Sequence, residues 1–87
     1  MDLIIISPDR ETSKKIAWLE INTPQGNYII LKGHIPFIIP LSHNESFTYQ
    51  LESGKKETIL VHSGVADISR TKITLIIRTQ IAQEKHP

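Results

Sequence analysis

The sequence predicts an all-β fold, an antiparallel β-sandwich of about eight to ten short strands. Three observations carry that reading. Apolar residues recur with a period of two: Phe47, Tyr49 and Leu51 alternate with Thr48 and Gln50, and Ile73, Leu75 and Ile77 with Thr74 and Ile76. These runs are rich in Ile, Val, Thr and aromatic residues, which suit a pleated, half-buried surface, and turn-forming residues separate them at short spacing. No apolar stripe at the i, i+3, i+4, i+7 spacing of a helix survives over residues 1–80. Two stacked layers are expected because a lone twisted sheet leaves one apolar face uncovered.

The elements follow in order. The apolar run Leu3 to Ile6 stops before Pro8, and Ser7 to Glu11 reads as a solvated loop. Ala17, Leu19 and Ile21 are predicted to face inward, with Trp18, Glu20 and Asn22 outward. Turns are predicted at Thr23-Pro24-Gln25-Gly26, Lys32-Gly33-His34, Ser42-His43-Asn44, Ser53-Gly54, Ser63-Gly64 and Ser69-Arg70-Thr71. In Gly33-His34-Ile35-Pro36, glycine supplies a positive φ and proline fixes its own φ near −65°, so the segment is a corner between two isoleucine-rich runs. Ile59 and Val61 face inward, with Thr58, Leu60 and His62 outward. The sandwich domain is expected to span residues 1–81, followed by a polar tail over 82–87.

Composition narrows the function. At 87 residues the chain makes one domain, and a domain this small commits nearly all its apolar runs to the core. Ten basic and nine acidic residues give a net charge of +1, with no basic stripe for a phosphate backbone, so no nucleic-acid partner is expected. The absence of cysteine excludes disulfides, thiolate nucleophiles and thiolate zinc sites. The longest apolar runs fall far short of the roughly 18 residues that span a bilayer, and the start of the chain lacks the basic leader and cleavage site of a signal peptide.

The catalytic motifs are weak. His34 as a general base needs an orienting carboxylate, and Glu20 and Glu45, the nearest acids in sequence, belong to other strands. A metal held by His34, His43 and His62 needs three separate segments to converge, without the close ligand spacing of zinc sites. Ser63-Gly64 lacks both the upstream glycine and the following helix of a nucleophile elbow. Gly26, Gly33 and Gly54 are too scattered to cradle a phosphate, and Asp9 with Glu11 reads as part of a solvated loop. Trp18, on the outer face, is either packed under a loop or offered to a partner. No catalytic residue, cofactor or metal is expected.

Five segments then carry a family resemblance. Ile21-Asn22-Thr23-Pro24-Gln25-Gly26, followed by Leu31-Lys32-Gly33-His34-Ile35-Pro36-Phe37-Ile38, closely resembles the epsilon subunit of rotary F-type ATP synthases. Val61 to Ile68 and Lys72 to Ile77 are similar to its later strands, and Leu3 to Pro8 to its first. The resemblance implies the family's N-terminal β-sandwich, a non-catalytic central-stalk module that joins the gamma subunit to the polar loops of the membrane c-ring. It implies gamma-facing residues Ser7, His34 and Ile39, and a c-ring-facing loop of Gln25, Gly26 and Asn27. It further implies a peripheral place on the cytoplasmic face of the inner membrane, reached only through the complex.

The departures are specific. Asn27 is neutral where the family usually carries an acid able to pair with a basic c-ring loop. Ile29 and Ser63 stand where glycine is common, and Ser42-His43-Asn44-Glu45 lacks a proline-glycine turn. Typical members continue into a helical hairpin that can bind ATP or inhibit rotation, and a chain stopping at Pro87 has no room for one. The resemblance therefore implies a short form that couples ion transport to ATP synthesis without that inhibitory element. The alternative is a stand-alone β-sandwich adaptor that uses a sheet edge or the Trp18 face.

Overall fold

Period-two alternation builds seven strands and no helix in the computed structural model, which describes residues 1–23, 26–41 and 45–79. They are β1 (Asp2–Ser7), β2 (Arg10–Thr23), β3 (Gly26–Ile30), β4 (Phe37–Leu41), β5 (Glu45–Leu51), β6 (Lys56–Ile68) and β7 (Lys72–Thr79). The predicted turn residues Pro24, Gln25, Ser42, His43 and Asn44, the expected domain boundary at 81 and the tail 82–87 lie outside the described residues.

The pairings close on themselves. β1 runs parallel to β7, and β7–β6, β6–β5, β5–β2 and β2–β1 are antiparallel. β3 adds to β2, and β4 to β6. One layer therefore holds β3, the second half of β2, β5 and the first half of β6. The other holds the first half of β2, β1, β7, the second half of β6, and β4.

β2 and β6, at 14 and 13 residues, serve both layers, and each changes phase where it passes between them. The β2–β5 register slips between Ile16 and Trp18, leaving Ala17 as the extra residue of a bulge. Before it, Ile16 points inward; after it, Leu19 and Ile21 do. Ala17, predicted inward, is exposed for this reason. The β6–β7 register slips between Val61 and Ser63, so His62 is the extra residue, and the inward set moves from Val61 to Ala66 and Ile68. Ser63-Gly64 is thus no turn but the interior of β6, and the strands expected on either side of it are one.

The core lies between the layers, around Phe47, Tyr49, Leu3, Leu19, Ile21, Ile30, Ile68, Ile73 and Leu75, all at most 2 % exposed. Each such aliphatic or phenyl side chain stabilises the fold by about 1.5–3 kcal/mol relative to an exposed position. Tyr49 is the one with a polar tip, and its hydroxyl donates to Glu57 Oε1 at 2.8 Å. Lys14 Nζ and Lys55 Nζ lie 3.7 and 3.8 Å from the same carboxylate.

Gly64 sits where β6 passes close against the backbone of β7, with φ +154. A Cβ there meets the Ile76 carbonyl oxygen and lies 2.9 Å from Ile77 Cα. Both obstacles are backbone of a paired strand and cannot swing aside. Gly64→Ala is expected to destabilise the fold by about 2–4 kcal/mol through this clash and the unfavourable φ. Urea denaturation measures it, and an unchanged midpoint contradicts the close approach.

Burial, then the hydrogen bond to Glu57, raises the Tyr49 phenol well above its ordinary value of 10.0. The folded chain therefore keeps this proton at pH values where the unfolded chain has lost it. The contribution is full below the ordinary value and is lost as the pH rises from there through the raised one. The same hydrogen bond holds the Glu57 carboxyl below the usual range, so its contribution is present at neutral pH and lost as the pH falls through its lowered value. Tyr49→Phe is expected to flatten the alkaline loss of stability, measured as urea midpoints between about pH 8 and pH 11. Identical slopes in both proteins argue against a buried, protonated phenol.

Candidate functional site

The corner between β3 and β4 is built as its sequence dictates. Gly33 takes φ +85, and its N–H donates to the Arg70 carbonyl at 2.9 Å, tying the corner to the β6–β7 turn. His34 N donates to the Leu31 carbonyl at 3.1 Å, closing a tight turn. The half-buried His34 ring lies 5.0 Å from that of Phe37, and its Nδ1 is 2.9 Å from the Ile35 carbonyl oxygen. With Nδ1–H donating to that carbonyl, Nε2 is the ring nitrogen left for an outside group. Among the described residues no group of three His, Asp or Glu side chains is placed to hold a metal.

Ser7 ends β1 and closes the Pro8-Asp9 turn, its Oγ donating to Asp9 Oδ1 at 3.3 Å and to the Arg10 carbonyl at 3.2 Å. Register places it at the Ile77–Gly64–Leu41 end of its layer, whereas Gly33 and Arg70 mark the opposite end. Ser7 therefore lies at one end of this layer and the His34 corner, which leads into it from β3, at the other, and the two do not form one site. Ile39 lies between those ends on β4, paired with Ala66, and its side chain is buried at 9 % exposure. The outward side chains of β4 are Ile38, 65 % exposed, and Pro40.

The outer face of this layer carries a row that the sequence reading did not assemble. Ile6 pairs with Ile76, Ile76 with Val65, and Val65 with Pro40, so four apolar side chains from four strands lie side by side. The next row is Ile4, Thr74, Asp67 and Ile38. Ile76 is 51 % exposed at the centre. The signal was present as Ile76 in Ile73–Ile77, but only the pairing of β7 with β1 and β6 places it among partners.

At the tip of the β2–β3 hairpin, Gly26 and Asn27 are exposed; Gln25 lies outside the described residues. Asn27 Nδ2 donates to Glu20 Oε2 at 2.7 Å and to Asn22 Oδ1 at 2.6 Å. A carboxylate thus stands beside the neutral Asn27, contributed by the opposing strand. Trp18 is half-buried, with its indole N–H donating to Gln50 Oε1 at 2.9 Å and Lys56 Nζ 5.6 Å from the ring centre. Its polar group and one ring face are engaged within the chain, which leaves it poorly suited to anchor a partner.

The family model for the ATP synthase delta/epsilon chain beta-sandwich domain matches residues 1–83. The chain belongs to that family. It is 34% identical over 77 residues to an ATP synthase epsilon chain of Nitratidesulfovibrio vulgaris, covering 87% of this chain and 56% of that one. An ATP synthase epsilon chain of Clostridium kluyveri is 29% identical over 77 residues, covering 87% and 58%. The chain spans little more than half the length of these relatives.

Among solved structures, a chain of the Euglena gracilis mitochondrial ATP synthase, OSCP/F1/c-ring, superposes with a TM-score of 0.73 at 24% identity, over 88% of this chain and 48% of that one. One from the central stalk/c-ring of the Tetrahymena thermophila mitochondrial ATP synthase gives 0.76 at 10% identity, over 100% and 73%. At those identities the likeness is one of fold. The β-sandwich is thus that of the ATP synthase epsilon chain, and no helix among the described residues is long and apolar enough to cross a membrane.

In this family member the corner's shape depends on Gly33, whose φ lies in the region costly to other residues. Nothing lies within 4 Å of a Cβ built there, so the penalty of Gly33→Ala is conformational alone. A loss of about 1–2 kcal/mol is expected in urea denaturation. A neutral or stabilising change contradicts the left-handed turn.

Proposed function

We propose that this chain is a non-catalytic central-stalk module of a rotary F-type ATP synthase, docking on the gamma subunit and on the polar loops of the c-ring to couple ion transport to ATP synthesis. The observation that carries the reading is the outer apolar row Ile6, Ile76, Val65 and Pro40, which lies on the layer that also holds Ser7, Ile39 and the His34 corner. An apolar row on a rigid sheet suits a partner surface; a catalytic cleft needs convergent polar groups instead. Ser7 and His34 supply polar contacts at opposite ends, which fix orientation. Ile39 contributes backbone on the edge of β4, and Ile38 and Pro40 supply the side chains there.

The c-ring contact falls to Gly26 and Asn27, with Gln25 expected beside them. The carboxylate that Asn27 lacks is provided by Glu20, 2.7 Å from its amide. A basic loop approaching this tip meets a negative charge whose position is set by a hydrogen bond. The complex then sits on the cytoplasmic face of the inner membrane, and the chain touches the bilayer only through it.

Isothermal titration with the gamma subunit tests the reading. Ile76→Asp is expected to weaken association at least about tenfold, because a charge replaces a side chain whose burial is worth more than the roughly 1.4 kcal/mol that a factor of ten requires. Leu60→Asp, on the outer side of the other layer and 49 % exposed, is expected to leave affinity unchanged. No association of the unaltered chain at micromolar concentrations, or equal losses in both variants, overturns the proposal.

A further inference from the structure

The first half of β2 breaks the rule that inward residues are apolar. Antiparallel partners share a face, and Leu3 and Ile5, both buried, pair with Lys14 and Thr12. Arg10 continues the column opposite Ser7. Arg10, Thr12 and Lys14 therefore point between the layers, where the strands leave a cavity of about 500 Å³. That volume falls in the range of small-molecule sites. Its apolar floor is Ile5, Ile59 and Ile77.

The polar groups around it are unequally engaged. The Glu57 carboxylate accepts from Tyr49 and faces Lys14 and Lys55 at 3.7 and 3.8 Å. Asp9 accepts from Ser7. The Arg10 guanidinium and the Thr12 hydroxyl have no hydrogen bond or ion pair among the described residues. What remains for a ligand is a cationic donor fork and a hydroxyl at the rim, above three isoleucines. Such a set matches a carboxylate head on an aliphatic body. An exposed guanidinium holds a bare anion only weakly, so the floor supplies most of the attraction and the head supplies orientation.

We propose that this inter-layer mouth binds a small aliphatic carboxylate, its head on Arg10 and Thr12 and its chain on Ile5, Ile59 and Ile77. The site is on the inner side of the sandwich, apart from the outer row and the β2–β3 tip; it shares Ser7 alone with the proposed gamma contacts and needs no other subunit.

Octanoate titrated into the ¹⁵N-labelled full chain, followed by heteronuclear NMR, is the test. Saturable shifts are expected at Arg10, Thr12, Ile59 and Ile77, with a Kd below about 1 mM. Acetate, which lacks the chain, and octanol, which lacks the charge, are expected to bind at least about fivefold more weakly. Arg10→Gln, an exposed position, is expected to keep the native spectrum and lose about fivefold in octanoate affinity. Thr12→Val is expected to weaken binding in the same direction. Shifts that do not saturate, shifts centred on Ile38 and Ile76, octanol binding as tightly as octanoate, or Arg10→Gln binding unchanged each overturn the proposal.

Discussion

The architecture depends on the phase change at Ala17 and His62. A strand presents alternate residues to opposite faces, so a long strand that passes from one layer to the other must invert which residues face the core. One extra residue accomplishes this, since it advances the side-chain phase by half a period and bends the strand at the same place. Without the extra residue in β2, the inward set would run Ile16, Trp18, Glu20, and two of those three side chains would have to be desolvated unpaired. In β6 the bulge precedes Gly64, and the absence of a Cβ there lets β7 lie against it. The five-strand ring of pairings closes because both long strands turn in this way.

The sandwich was legible in the sequence because alternation survives within each half-strand. The inward assignments of Leu19, Ile21, Phe47, Tyr49, Val61, Ile73, Leu75 and Ile77 match the buried core. The failures cluster at the bulges. Ser63-Gly64 has the composition of a turn, and only the approach of Ile76 backbone distinguishes a glycine kept for close packing from one kept for reversal. Ala17 was misplaced because one extra residue is invisible to a period-two pattern. The strand count fell to seven for the same reason, since the two runs around Gly64 are one strand.

The surface was less legible than the core. Gly33-His34-Ile35-Pro36 announced a corner, and its local bonds follow from the glycine and the turn, but its anchorage to the Arg70 carbonyl joins segments far apart in sequence. The outer row is harder still, because Ile6, Val65, Pro40 and Ile76 come from four strands and none is unusual alone. Ile39 illustrates the limit of carrying a position over from a family pattern. The side chain that faces out is set by parity along the strand, and here parity selects Ile38 and Pro40. The same dependence on pairing hid Glu20, which reaches Asn27 diagonally across the β2–β3 ladder.

Core and surface meet in the first half of β2. In a chain this small the apolar residues suffice to fill the layers only as far as Ile16 and Tyr49, and beyond them the inward column turns polar at Lys14, Thr12 and Arg10. The hairpin of β1 and β2 is held there by its ladder, by the Ser7 bonds across the turn and by Lys15 on Asp2, and hardly at all by inward packing beyond Ile5. A side chain such as isoleucine at position 12 would extend the core toward that mouth and add roughly the 1.5–3 kcal/mol of a buried aliphatic group. Its place is taken by a hydroxyl with no partner among the described residues, next to a guanidinium with none there either. The fold thus gives up packing at one end of the sandwich while presenting apolar side chains on the outside of the same layer. Both features leave apolar burial unused in the isolated domain, and they are the places where binding of another molecule would add stability.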